Sequence, residues 1–108
     1  METPEPSGVD LVNAFLRGQN LEQIGREDEA VALYESAVAG GFDAPGPYDR
    51  LIVIYSNRAL HAEVVRVTEA ALEHVRTHGD KRAWYERMRG DAAAAQTKVP
   101  RAAPKNPG

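Results

Sequence analysis

Apolar residues recur along this chain every three or four positions, the spacing that lines one face of a helix. Leu11, Ala14, Phe15, Gly18, Leu21 and Ile24 form the first such stripe. Asp10 stands just ahead of it, where its side chain would accept backbone N–H groups as an N-cap, so a helix is expected from Leu11. Gly25-Arg26 reads as a stop and turn. Glu27, Asp28 and Glu29 then place negative charge at the positive end of a second helix. Its stripe is Ala30, Leu33, Tyr34, Ala37 and Val38, and Gly40-Gly41 ends it. The loop FDAPGP closes on Pro47, which suits the first turn of a third helix carrying LIVIY and running to about Arg58.

A break at 59–61 precedes a fourth stripe, Val64, Val67, Ala70, Ala71 and Val75. His78-Gly79-Asp80 is the next stop and cap. A fifth helix is expected from near Lys81, with Trp84, Met88 and Ala92 along one line, Trp84 as core, and Gly90 weakening the interior. LIVIY is the one strand-like run, and it has no partner strand. The pattern predicts an all-α fold of about five helices. Prolines mark residues 1–9 as a flexible entry, and residues 98–108 turn to proline, lysine and glycine, a composition expected to be disordered.

Sliding the chain along itself lays DEAVALYESAV on AEVVRVTEAAL. Glu29 falls on Glu63, Val31 on Val65, Glu35 on Glu69 and Ala37 on Ala71. The shift matches the helix–turn–helix period of a tetratricopeptide unit, about 34 residues. GREDEAVALYESA resembles the second half of such a repeat, with Gly25, Ala30, Tyr34 and Ala37 at its signature places and Gly18 and Leu21 matching the helix before it. Leu51, Tyr55 and Ala71 match in the second unit, and PGPYDRLIVIY is similar to first helices of many bacterial members. The resemblance implies an α-α superhelix of antiparallel hairpins within residues 10–97: repeat one at 11–41, repeat two at 45–78 and a capping helix at 80–97. Arg17, Arg58, Val64 and Thr68 depart from the family's pattern, so the second hairpin is expected to cross differently.

Composition narrows the chemistry. Hydrophobic residues make up 43% and charged residues 27%, which is globular, and the net charge is −3. Lys98, Arg101 and Lys105 lie in an acid-free C-terminal stretch, leaving −6 on residues 1–97, so binding to nucleic acid or an anionic membrane is not expected. Without cysteine there is no disulfide, thiol nucleophile or thiolate metal site. METPEPSGVD has no basic-then-apolar leader pattern, and no apolar run reaches membrane-spanning length, so a cytoplasmic location is expected.

The resemblance also implies where function would lie. First helices line the concave face of a tetratricopeptide array, which here would be Val12, Phe15, Gln19, Glu22 and Gln23 in unit one. In unit two it would be Asp49, Arg50, Val53, Ser56 and Asn57. Amides, one arginine and apolar contacts suit a peptide or helix of a partner protein. The alternative is an accessory subunit whose repeats mediate homodimerisation or complex assembly without a peptide ligand. LIVIY on a helix points in all directions, so either neighbours cover it on both sides or Val53 and Phe15 form an apolar floor for a partner. His74 and His78, four apart, are a weak pair of metal ligands. No phosphate loop, nucleophile elbow or HExxH motif is present, so neither catalysis nor a cofactor is expected.

Overall fold

The computed structural model describes residues 8–102, with side chains described for 10–97. The expected flexibility of residues 1–7 and disorder of 103–108 lie outside the described residues. Five α-helices follow in order: α1 (Gly8–Gln23), α2 (Glu27–Ala39), α3 (Gly46–Asn57), α4 (His61–His74) and α5 (Arg82–Ala102). A short 3-10 turn, Gly79–Lys81, leads into α5, and no strand occurs among the described residues.

Three boundaries differ from the sequence expectation. Helix α1 starts at Gly8, so Asp10 is not the cap but lies within the first turn, where its charge still faces the positive helix end. Helix α4 ends at His74 and Val75 is already extended. Helix α5 continues to Ala102, past the expected boundary at Lys98.

Consecutive helices pack against each other, and side-chain ties sort them into two layers. Glu22 of α1 binds Arg50 of α3, and Asp49 of α3 binds Tyr85 of α5. In the other layer Glu35 of α2 binds Arg66 of α4 at 2.6 Å. The core between the layers holds Ala30, Tyr34, Leu51, Ile52, Val64, Val67 and Ala71. Four residues of LIVIY are buried and Val53 is half-buried, so neighbours cover that run on both sides. Small residues permit the close crossings. A Cβ on Gly18 would lie 2.6 Å from the Tyr34 ring, and one on Gly46 would lie 2.4 Å from the Phe15 ring.

The period is present in the backbone as well as in the residues. Helices α1 and α3 end at Gln23 and Asn57, and α2 and α4 begin at Glu27 and His61. Gly25 has φ 84° and Ala59, at the same place in the second hairpin, has φ 59°. The Arg26 N–H donates to Leu21 O at 2.9 Å, and the Leu60 N–H donates to Tyr55 O at 2.9 Å. The Gly25 N–H donates to Glu22 O at 3.1 Å, and the Ala59 N–H to Ser56 O at 3.0 Å. Both helices thus stop on the same pair of hydrogen bonds around a left-handed residue. Ala30 and Val64, Tyr34 and Thr68, and Ala37 and Ala71 are buried pairs at this shift.

Helix α5 falls in the place of a third first helix. Tyr85 stands one period beyond Leu51, is equally buried, and donates its hydroxyl to Asp49 Oδ1 at 2.9 Å. Trp84, expected in the core, is half-buried and packs against it. Lys81 lies 4.5 Å over its ring while pairing with Asp49 Oδ2 at 3.0 Å.

Candidate functional site

Four of the ten expected groove residues share one shallow cleft. Gln19, Glu22, Gln23 and Arg50 line a space of about 300 Å³ between α1 and α3. Its floor is an ion pair with a third member. Arg50 donates through Nε to Glu22 Oε1 at 3.1 Å and through Nη2 to Oε2. The Tyr34 hydroxyl donates to Glu22 Oε1 at 2.7 Å. Arg50's hydrogen bond holds the Glu22 carboxyl below 4.5, despite the opposing effect of burial. Burial, and then the bond to Glu22, pushes the Tyr34 hydroxyl up. Glu22 and Arg50 therefore neutralise each other and join α1 to α3. Gln19 and Gln23 remain as the cleft's uncharged polar groups.

The other expected residues divide. Val12 is 40% exposed on α1. Phe15 is half-buried, its ring 5.9 Å from that of Tyr34 and close over Gly46, so it belongs as much to the core as to a binding face. Asp49 is turned to the start of α5, where Tyr85 of α5 and Lys81 of the preceding 3-10 turn occupy both its oxygens. Ser56 lies in a separate cleft with His61, Met88 and Asp91, and no hydrogen bond links Ser56, His61 and Asp91. Asn57 is exposed at the last turn of α3. Of the ten positions, four thus share the cleft between α1 and α3, and Ser56 lines a different one.

His74 and His78, the weak metal-ligand pair, do not share a helix face, because α4 ends at His74. His74 lies against Gly41, and His78 Nδ1 is 3.0 Å from the Thr77 hydroxyl. Among the described residues no group of three or more His, Cys, Asp or Glu side chains gathers around a metal-sized space.

Sequence reasoning missed Leu16, which is 49% exposed on α1. At 100° per residue, Val12, Leu16, Gln19 and Gln23 fall within about 60° of one another. The side of α1 beside the cleft is therefore apolar in its first half and amide-bearing in its second. The signal was available: Leu16 is the large apolar residue off the buried stripe, one turn after Val12. Arg58, at a position expected to be apolar by family resemblance, serves a different purpose. It closes α3 and pairs with Glu27 at 2.6 Å and Asp28 at 2.9 Å, joining the two hairpin turns. No helix among the described residues is long and apolar enough to cross a membrane. Neither family models, curated proteins nor solved structures supply a match to this chain.

Proposed function

We propose that the chain is a tetratricopeptide-like interaction module that receives a segment of a partner protein along the exposed side of α1 and the adjoining cleft against α3. The observation that carries this reading is the juxtaposition of exposed Val12 and Leu16 with the glutamine-lined cleft, on a scaffold whose second hairpin repeats the first. Apolar side chains desolvate a partner, and paired amides hydrogen-bond its backbone, a mixture typical of interfaces between proteins. The neutral Glu22–Arg50 floor offers no unpaired charge that a ligand must match. Tetratricopeptide membership is part of this proposal, resting on the hairpin period and on the matched turns.

Affinity capture with the purified protein, compared with a Leu16→Asp variant, tests the reading. A partner retained by the wild type and lost by Leu16→Asp, with unchanged helical circular dichroism, supports it. Partners that bind both equally refute this face as the site. Sedimentation of the pure protein separates the assembly alternative: a tight dimer dissociated by Leu16→Asp would mean that the face is taken by a second copy.

A further inference from the structure

Helix α3 is tied to the hairpin before it at four positions. A Cβ on Gly46 would meet the Phe15 ring, and Arg50 binds Glu22, both on α1. Tyr55 donates its hydroxyl to Glu35, and Arg58 pairs with Glu27 and Asp28, all on α2. One period earlier in the chain these four positions are Val12, Leu16, Leu21 and Ile24. Each is a large apolar residue and none is fully buried. Leu21 is half-buried and the other three are exposed, Ile24 most of all at 67%. Among the described residues the remaining exposed large hydrophobic side chain is Leu60, in the second hairpin turn. Exposed apolar surface is thus concentrated where α1 repeats the stacking face of α3. The interface between the first hairpin and α3 has an uncovered continuation at the front of the array, and repeat units bury their faces only on neighbours.

The positions themselves say what would cover them. Val12 and Leu16 stand where α3 meets the first helix of a hairpin, and Leu21 and Ile24 where it meets the second. One segment along the α1–α3 cleft would leave Ile24 in water, whereas two antiparallel helices cover all four. A second copy of this chain has no free hairpin to offer. Its first hairpin is covered by α3 and its second by α5. The outward side of α5 carries exposed Arg82, Glu86 and Arg87, which do not match an apolar face. Arg17 is the charged residue on the α1 stacking face. It is exposed, makes no ion pair among the described residues, and stands one period before the fully buried Leu51. Covering it requires a carboxylate.

From this we infer that the partner is a helical hairpin of another protein, stacked on α1 as the first hairpin is stacked on α3, with an apolar face and one carboxylate opposite Arg17. The inference rests on the reading that the exposed side of α1 receives a partner, and it specifies the partner's form.

The fit can be tested within the full chain by placing a hairpin ahead of α1, in a protein that reads 1–41 followed by 8–108. The front hairpin carries Glu22→Gln, Glu27→Ala and Asp28→Ala, because those carboxylates would face Leu16 and Ile24 instead of arginines. It keeps Glu35, which would lie within a helical turn of Arg17. Two helices this short do not hold together alone. Far-UV circular dichroism should therefore show two further helices' worth of signal per molecule, lost with the rest in one urea transition of raised midpoint. Leu16→Asp or Ile24→Asp in the α1 that receives the hairpin should abolish that gain, while Leu60→Asp should leave it. The same three substitutions in the unextended chain should leave its midpoint unchanged, since all three side chains are exposed. Added residues that stay non-helical, or a gain that survives Ile24→Asp, would overturn the inference. So would a dimer of the unextended chain that Leu16→Asp dissociates. Capture of a partner that depends on Leu16 but not on Ile24 would leave the proposed function standing and overturn the hairpin alone.

Discussion

Replacing Ala59 with glycine should stabilise this protein, and replacing Gly25 with alanine should destabilise it by a similar amount. The two residues occupy the same place in successive hairpins, both with positive φ: 84° at Gly25 and 59° at Ala59. An L-residue with a Cβ is strained by about 1–2 kcal/mol in this left-handed region. Glycine escapes that strain but loses more chain entropy on folding, about 0.5–1 kcal/mol. The difference leaves about 0.5–1 kcal/mol in favour of glycine at either site. Gly25 isolates the backbone effect, because a Cβ there would meet no atom within 4 Å. Urea unfolding followed by far-UV circular dichroism reads the change as a shifted midpoint at constant slope. Near the melting midpoint, each kcal/mol corresponds to about 4–8 °C in a domain of this size. The exchange variant, Gly25→Ala with Ala59→Gly, should return to within about 0.5 kcal/mol of the wild type. Destabilisation by Ala59→Gly, or neutrality of Gly25→Ala, would refute the claim that both turns close around a left-handed residue.

Other perturbations probe the packing and the charged ties. Ala37→Leu should cost about 1–3 kcal/mol by overpacking, since Ala37 is fully buried where α2 crosses its neighbours; an unaltered urea midpoint would contradict that crossing. Tyr85→Ala should cost about 3–5 kcal/mol through the cavity left under α5, and a Trp84 fluorescence transition that precedes the loss of helical signal would report α5 detaching first. Glu22 has its folded pKa depressed below 4.5 by Arg50, so its contribution is present above 4.5 and lost as pH falls through the folded value. Glu22→Gln should therefore flatten the stability profile through and below the usual carboxylate range, as read by melting temperature against pH. A profile as steep as the wild type's would assign the acid sensitivity to other carboxylates.

The helices were legible in the sequence because each buries one stripe, and a stripe repeats at a period that the residues display directly. The turn at Gly25 was legible for the same local reason. Ala59 was not, because alanine carries no sign of a positive φ and only its place one period after Gly25 gives it away. The start of α1 was misread because Asp10 serves a helix end equally well as a cap or inside the first turn. The site was harder. Glu22 and Arg50 lie in different hairpins, and nothing in either neighbourhood says that each is the other's counter-ion. Asp49 and Arg50 are adjacent in sequence yet turn toward different helices, α5 and α1, a divergence set by the 100° step between neighbours. His74 and His78 look stacked only if the helix continues, and it stops between them.

The two layers are each held by one interhelical carboxylate–arginine tie, and these ties differ in their exposure to solvent ions. Arg50 and Glu22 are 39% and 19% exposed, and Arg66 and Glu35 are 48% and 28% exposed. Salt screens exposed pairs more than sheltered ones. Rising ionic strength should therefore slacken the α2–α4 layer before the α1–α3 layer, as a strip bends when only one of its surfaces stretches.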